Sequence, residues 1–233
     1  MIPAPSIKPV RIERQTRETV FSGVLGPRSE SNTRVALPNQ LLGHMIDHLL
    51  KACCFSLDIA TVSWPGSWKF DHVLCEDMGQ LVGHGVAAIH EALANSVGVP
   101  GRAGTTTVMD EALVECTISF EGRPRCDWIV SDDSKIDGFV DAWYDDGGRL
   151  GGWASGTNLQ QFFEGFAIGA SATVSIVVRK GGNLHHVYEA AFRALGDAIG
   201  MSLKIDVQRL PADTSGLAGS ANYVVETIET ESK

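Results

Sequence analysis

The sequence predicts an α+β fold in which a unit of β-sheet packed on helices occurs twice. Segments with helical spacing of apolar residues alternate with short strand-like segments, and the second half repeats the order of the first. In each half the long helix begins with a histidine followed four residues later by a glutamate. We therefore expect a first repeat at 1–97, a second at 98–210, and a tail at 211–233 that is mobile unless it closes over a site.

The first half has a predicted hairpin, a helix, a strand and a second helix. Residues 10–25 partly alternate, and 31–37 follow as the second strand of the hairpin. Residues 56–62 form a strand, and 71–95 form a long helix. The helix at 39–53 has its apolar residues on one face and His44, Asp47, His48 and Lys51 on the other. Its apolar residues are Leu41, Leu42, Met45, Ile46, Leu49 and Leu50.

The second half has predicted elements in the same order, interrupted by an acidic, glycine-rich loop at 131–152. They are strands near 112–120 and 127–131, a helix near 158–170, a strand at 172–178 and a helix at 184–199.

Composition and charge exclude several classes of protein. The chain has 233 residues, 44% of them hydrophobic, and a net charge of −9, which is the wrong sign for a nucleic-acid partner. No apolar run approaches the about 18 residues that a membrane-spanning helix needs, and the N-terminal segment lacks a signal-peptide core. The 5 cysteines contain no CxxC pair, so reduced thiols are expected. We expect a soluble, cytoplasmic protein without nucleic-acid or membrane partners.

The repeated histidine–glutamate pattern is a candidate metal site. His72 and Glu76 open one long helix, and His185, His186 and Glu189 open the other. Residues four apart share a helix face, so each pair can offer an imidazole nitrogen and a carboxylate oxygen to one ion. Mn²⁺, Zn²⁺ or Fe²⁺ suits such ligands. A solvated histidine and glutamate on a helix surface is the alternative interpretation, and repetition at equivalent positions brings the metal interpretation level with it.

Five motifs in order along the chain resemble those of the imidazoleglycerol-phosphate dehydratase family, over about Arg11 to Ser215. They are RQTRET at 14–19, LLGHMIDHL at 41–49, DHVLCED at 71–77, VMDEALVECTISFEGRP at 108–124 and NLHHVYEAAFRA at 183–194.

The resemblance implies a duplicated α+β unit of the ribosomal protein S5 domain 2-like type, assembled through trimers into a 24-subunit shell. It also implies two manganese ions in pockets between subunits and the removal of water from an imidazole-bearing glycerol phosphate. One metal site is complete by this resemblance, with Glu18 matching the carboxylate that handles protons. Its ligands are His44, His72, Glu76 and His185.

The second implied site has lost ligands. His186 and Glu189 match the family, but Val73 and Gln161 stand where two further histidines are expected. About one tightly bound Mn²⁺, or another divalent transition metal, is therefore expected per chain.

The residues that the family uses to bind the substrate phosphate match this sequence better than the ligands of the second metal site do. Arg102, Arg123, Arg193 and Ser215 match positions that hold the substrate phosphate, and Arg193 replaces a lysine. A further lysine is replaced by Leu217. Before the first metal helix, WPGSWKFD at 64–71 replaces an acidic, histidine-containing loop, and its two tryptophans either reshape a pocket or pack.

Two classes of function follow. The first is a carbon–oxygen lyase that uses one metal and Glu18 on a phosphorylated small molecule. The second is a catalytically lapsed homologue that retains a binding or assembly role. The complete site and the arginines favour the lyase, whereas the paired ligand losses at Val73 and Gln161 favour the lapsed homologue.

Overall fold

The described part of the chain contains two four-stranded mixed sheets, four helices and one short separate hairpin. The computed structural model describes residues 7–28, 34–63, 71–131, 142–144, 150–153 and 156–211.

The elements of the first half follow the order strand, strand, strand, helix, strand, helix. They are β1 (Val10–Gln15), β2 (Val20–Pro27), β3 (Arg34–Ala36), α1 (Gln40–Ala52), β4 (Phe55–Ser63) and α2 (Asp71–Ser96).

The second half has the same order with one short hairpin inserted before its first helix. Its elements are β5 (Arg102–Met109), β6 (Ala112–Ser119), β7 (Arg125–Val130), β8 (Ala142–Tyr144), β9 (Leu150–Trp153), α3 (Gly156–Ala170), β10 (Thr173–Lys180) and α4 (Leu184–Ser202).

The duplication is confirmed by the sheets. The first sheet has the order β1-β2-β4-β3 and the second β5-β6-β10-β7, with β8 and β9 paired separately. In both sheets the first two pairings are antiparallel. The last pairing, β3 with β4 or β7 with β10, is parallel. The predicted α+β class with a repeated unit is therefore correct.

The helices pair across the two halves. α2 packs along α3, and α1 packs along α4. A Cβ atom on Gly79 would lie 2.1 Å from the Phe162 carbonyl oxygen, and one on Gly165 would lie 2.3 Å from the Glu76 carbonyl oxygen. Gly196 of α4 meets the Leu49 carbonyl in the same way at 2.3 Å. These glycines allow close contact between the backbones of the paired helices. The two helices of each pair are parallel, because the contacting residue numbers rise together along both.

Helix α1 forms as its apolar spacing predicts. All six apolar residues of the predicted face are buried. Asn39 precedes the helix and accepts a hydrogen bond from the Leu42 backbone N–H at 3.0 Å, which caps one of the free amides of the first turn. The polar face, with His44 and His48, is turned towards α4.

Three predictions of strands need correction. Residues 10–25 do not form one strand paired with 31–37, because the chain reverses at Thr16–Thr19 and the hairpin lies within β1 and β2. Arg34–Ala36 pairs in parallel with β4 instead. Strand β5 was not predicted, and the loop at 131–152 contains β8 and the start of β9.

None of the helices in the described ranges is long and apolar enough to span a membrane.

Candidate metal centre

The first turns of α1 and α4 bring together His44, His185 and Glu189, which we call the α1/α4 cluster. The Nε2 atoms of His44 and His185 lie 3.7 and 3.5 Å from the same Glu189 oxygen, Oε2. The two imidazole rings stack with centroids 5.6 Å apart. Glu189 is buried, and its side chain is only 6% exposed. Two imidazole nitrogens and one buried carboxylate oxygen thus converge on a small volume.

The other oxygen of Glu189 faces a different set of groups. Arg193, one turn further along α4, donates to Oε1. The Nε2 atom of His48 lies 3.3 Å from the same oxygen. The Nε atom of Arg193 also donates to Nδ1 of His48 at 3.2 Å. Glu189, Arg193 and His48 therefore form a closed triangle behind the α1/α4 cluster.

The electrostatic setting of His48 favours the neutral imidazole. Burial lowers the pKa of His48, and the neighbouring His44 and Arg193 charges lower it further, whereas Glu189 acts in the opposite direction. The His48 side chain is 16% exposed, which is close to the 15% of His185 and well below the 35% of His44.

The second helix pair carries an incomplete counterpart. His72 and Glu76 lie in the first turns of α2, with His72 exposed and Glu76 half-buried. Among the described residues they do not belong to the α1/α4 cluster. Gly165 of α3 packs against the Glu76 backbone, which places Gln161, one turn earlier in α3, level with the start of α2. The Gln80 side chain donates to Glu76 Oε1 at 3.0 Å, as Arg193 does to Glu189.

The turn that holds Glu18 is anchored to α2. The Thr16 hydroxyl oxygen accepts hydrogen bonds from the backbone N–H groups of Glu18 and Thr19, at 3.1 and 2.9 Å. The Thr19 hydroxyl donates to the buried Asp77 carboxylate. Arg14 donates to the other Asp77 oxygen at 2.5 Å. Because Asp77 directly follows Glu76, the exposed Glu18 carboxylate is tied to the helix that carries His72 and Glu76.

His186 lies in a second cluster, with Asp110 and Glu111 at the β5–β6 turn. Its Nδ1 atom is 2.9 Å from Glu111 Oε2, and its Nε2 atom is 3.5 Å from Asp110 Oδ2. The Asn183 backbone N–H and His186 lower the pKa of Glu111 to about 2, and the Glu111 hydrogen bond raises the pKa of His186. The structure thus places His186 and Glu189 in different clusters.

The three predicted phosphate-binding arginines do not converge within one chain. Arg102 pairs with Ser119, and the Arg123 carbonyl accepts from Thr173, so both lie at one end of the second sheet. Arg193 instead donates to the Met109 sulfur at 3.4 Å, at the other end of β5. Seven residue steps of strand separate Arg102 from Met109, or about 24 Å. Ser215, Leu217 and the loop tryptophans lie outside the described residues.

Several residues of these sites were not singled out from the sequence. His48 was placed on the polar face of α1 but was given no role, because its contacts join positions far apart in the chain. Asp77, Asp110 and Glu111 were noted only as parts of motifs. The helical phase of His48, four residues after His44, was the available signal.

The fold and its clusters define a class: a duplicated α+β protein with histidine and carboxylate groups at the beginnings of its paired helices. The chain belongs to the imidazoleglycerol-phosphate dehydratase family, whose family model, described as "Imidazoleglycerol-phosphate dehydratase", matches residues 38–199.

Curated relatives and solved structures agree with this assignment. An imidazoleglycerol-phosphate dehydratase of Methanopyrus kandleri is 30% identical over 212 residues, covering 89% of this chain and 95% of the relative. One of Desulfitobacterium hafniense is 29% identical over 194 residues, covering 83% and 89%.

Two crystal structures share the fold. That of imidazoleglycerol-phosphate dehydratase from Staphylococcus aureus has a TM-score of 0.66 at 21% identity, and covers 84% of this chain and 100% of that one. The Pyrococcus furiosus enzyme, in complex with (S)-C348, has a TM-score of 0.64 at 23% identity, covering 90% and 100%.

Proposed function

We propose that this protein is a metal-dependent carbon–oxygen lyase that removes water from a phosphorylated small molecule, imidazoleglycerol phosphate or a relative of it, with weakened or altered activity. The observation that carries the proposal is the α1/α4 cluster, in which two imidazole Nε2 atoms face one oxygen of the buried Glu189 carboxylate. Location in the cytoplasm and a place in histidine biosynthesis belong to the same proposal.

The spacing of the cluster suits a divalent ion. Donor atoms that share an ion at about 2.1 Å each lie about 3.0–3.4 Å apart. The observed separations of 3.5 and 3.7 Å need only small side-chain movements to meet that condition. Imidazole and carboxylate donors suit Mn²⁺, Zn²⁺ or Fe²⁺, and Mn²⁺ is the ion that the family resemblance favours.

The complete ligand set of the proposal spans two chains. His44, His185 and Glu189 come from one subunit. His72 and Glu76 come from a neighbour in a homo-oligomer built from trimers, with a 24-subunit shell as the largest form. About one tight ion per chain is expected. The family resemblance pairs Glu189 with His186 at a second ion, but in this chain Glu189 faces His44 and His185, so we propose it as a ligand of the first ion. A second ion would then keep only His186, since Val73 and Gln161 replace the other ligands, and in the free chain His186 is held by Glu111, 2.9 Å away.

The proposed chemistry divides between the ion and Glu18. When bound, the ion supplies Lewis acidity that stabilises negative charge on the substrate ring. Glu18 carries the proton, and its turn is fixed to α2 through Thr19 and Asp77. One ion stabilises the ring anion less than two would, so turnover of imidazoleglycerol phosphate is expected to be slow.

Phosphate binding is proposed for Arg102, Arg123, Arg193 and Ser215, completed between subunits. Arg193 already directs three of its donors to Glu189, His48 and Met109. A guanidinium carries five N–H donors, so two remain for a phosphate oxygen.

The second candidate is a lapsed homologue with a binding or assembly role. The observation that favours it is the pairing of His186 with Glu111, together with Val73 and Gln161 at the expected ligand positions. Such a protein would keep its assembly and lose dehydration.

Metal content per chain, measured together with water loss from imidazoleglycerol phosphate, tests the proposal. We expect about one Mn²⁺ per chain, lost in His185→Ala, and slow dehydration. An efficiency within the ordinary range of about 10⁴ to 10⁸ M⁻¹s⁻¹ would contradict weakened activity. Metal binding without any dehydration would support the lapsed homologue. Absence of bound metal after growth with manganese would refute both the proposed metal site and the proposed lyase activity.

Mixing two inactive variants tests the shared site. His72→Ala chains keep the α1/α4 side, and His185→Ala chains keep the α2 side. When the two are unfolded and reassembled together, about a quarter of the interfaces should pair two intact sides and recover metal and activity. Recovery of neither would mean that each site lies within one chain.

A thermal-shift comparison tests the phosphate site. Inorganic phosphate should raise the melting temperature by mass action, and the shift should shrink in Arg123→Ala. Sulfate-free chloride at equal ionic strength is the control. An equal shift with chloride would mean that the stabilisation is not specific to phosphate, and an undiminished phosphate shift in Arg123→Ala would remove Arg123 from the proposed site.

A further inference from the structure

His48 lies behind the α1/α4 cluster, and both of its ring nitrogens are already engaged. Nδ1 accepts a hydrogen bond from Arg193 Nε at 3.2 Å. A guanidinium N–H can only donate, so Nδ1 must carry a lone pair and no proton. The proton of the neutral ring is then on Nε2, the atom that lies 3.3 Å from Glu189 Oε1.

This arrangement leaves His48 without a free lone pair for a metal ion. The lone pair of Nδ1 accepts from Arg193, and the hydrogen on Nε2 lies beside the carboxylate of Glu189, whose Oε1 is 3.3 Å from Nε2. His48 is also outside the compact group of donor atoms formed by His44, His185 and Glu189. It therefore differs in role from His44, although the two rings lie on one face of α1 with centroids 4.5 Å apart.

We propose that His48 is a positioning residue that donates a hydrogen bond to Glu189 Oε1 and so holds Oε2 towards His44 and His185. Arg193 donates to the same Oε1 and orients His48 through Nδ1. With one oxygen held by two donors, the carboxylate cannot rotate freely, and its second oxygen is presented as a preformed metal ligand. Such supporting hydrogen bonds to a ligand change metal affinity by about 10- to 100-fold.

The other half of the chain supports this interpretation by comparison. Glu76 occupies the position in α2 that Glu189 occupies in α4, and Gln80 donates to it at 3.0 Å from one turn further along, as Arg193 does to Glu189. The position in α3 that corresponds to His48 in α1 is occupied by Gly165, which packs against the Glu76 backbone and offers no side chain. The additional donor is thus specific to Glu189, the more deeply buried of the two carboxylates.

The inference rests on the proposed metal binding by Glu189, and two measurements separate the two. The first is the protonation of His48 in the metal-free full-length protein at pH 7–8, read from its ring ¹⁵N signals by solid-state NMR, with His48→Gln to assign them. A protonated Nε2 and an unprotonated Nδ1 are expected. The opposite tautomer, or a doubly protonated ring, would overturn the proposal whether or not metal binds.

The second measurement is Mn²⁺ affinity, by calorimetry, for the wild type and three variants. His48→Gln keeps a donor near the Nε2 position, His48→Asn keeps an acceptor near Nδ1, and His48→Leu keeps neither. We expect affinity to fall about 10- to 100-fold in His48→Leu, to fall similarly in His48→Asn, and to recover largely in His48→Gln. His84→Leu, an exposed histidine of α2, is the control and should bind as the wild type does.

A purely structural role predicts a different pattern. If His48→Leu lowered the melting temperature in EDTA but bound Mn²⁺ as tightly as the wild type, the proposal would be overturned. Rescue by His48→Asn rather than His48→Gln would also overturn it, since the acceptor for Arg193 would then matter and the donor to Glu189 would not. Failure of the wild type itself to bind Mn²⁺ would overturn the proposed metal function, and the ¹⁵N signals would still decide whether His48 donates to Glu189.

Discussion

Arg14 and Asp77, 63 positions apart in sequence, are joined by a hydrogen-bonded ion pair of 2.5 Å at the base of the Glu18 turn. The Asp77 side chain is 4% exposed and that of Arg14 is 27% exposed. The pair connects the RQTRET and DHVLCED motifs in space. The two motifs therefore have a shared structural role: Arg14 and Thr19 of the first motif supply the hydrogen-bond donors that the buried Asp77 carboxylate of the second motif needs.

Replacing Arg14 by Met should destabilise the protein by about 2–3 kcal/mol, because it leaves the buried Asp77 carboxylate with Thr19 as its remaining side-chain donor. Arg11→Met, on the exposed face of the same strand, is the matched control and should change the unfolding free energy by less than about 0.5 kcal/mol. Urea unfolding of both variants measures the difference. Equal stability of the two would mean that the ion pair is not formed in solution.

Replacing Thr16 by Val should disturb Glu18 without disturbing the metal. The change removes the acceptor of two backbone N–H groups and should cost about 1–2 kcal/mol. Dehydration should fall while Mn²⁺ content stays at the wild-type level. Thr61→Val is the control, since its exposed hydroxyl donates to a single backbone carbonyl at 3.1 Å. Loss of metal in Thr16→Val would show that the turn supports the ligands themselves.

Replacing Gly79 by Ala should cost about 3 kcal/mol or more, or prevent folding. The added Cβ would lie 2.1 Å from the Phe162 carbonyl oxygen, and this neighbour is helix backbone that cannot rotate away. Gly43→Ala is the control: its Cβ would lie 3.6 Å from the nearest atom, and alanine should add about 0.5–1 kcal/mol of helix stability. Chemical unfolding measures both. A stable Gly79→Ala protein would contradict the close contact of α2 and α3.

His90 should make stability depend on pH. Its ring stacks on Phe120 with centroids 4.5 Å apart, and burial lowers the pKa of His90 below 6.5. The unfolded state therefore binds more protons below about pH 6.5, so His90 lowers stability as the pH falls from that value towards the folded pKa. His90→Phe removes this effect. The melting temperature of His90→Phe minus that of the wild type should therefore increase as the pH is lowered from about 8 to about 5. A difference that does not change with pH would contradict the assignment.

The helices could be predicted because their signal is local. In α1 the six apolar residues recur at helical spacing, and all six are buried. The first hairpin was placed wrongly because its turn is made by the hydroxyls of Thr16 and Thr19 rather than by glycine or proline. Strand β5 was missed because RAGTTTVM has little apolar character, and its strand conformation depends on pairing with β6.

The candidate site was predictable only in part, for a related reason. The family resemblance pointed to His44 and His185 in one site and to Glu189, with His186, in the other, whereas the structure brings His44, His185 and Glu189 together. The donors behind Glu189 were not apparent, since the contact from Arg193 to His48 spans 145 positions. The pairing of His186 with Glu111 spans 75 positions and likewise depends on how α4 meets the β5–β6 turn. Such contacts follow from tertiary packing rather than from any local pattern.

The exchange of helix partners between the halves has a consequence for the origin of the chain. Because α2 packs on α3 and α1 on α4, neither half closes its own core. If such a unit occurred as a single copy, a second molecule would have to supply the missing helix, and the result would be a dimer with two equivalent helix pairs. In the present chain the two pairs are not equivalent, because α1 and α4 carry His44 and His185, whereas Val73 and Gln161 lie in α2 and α3.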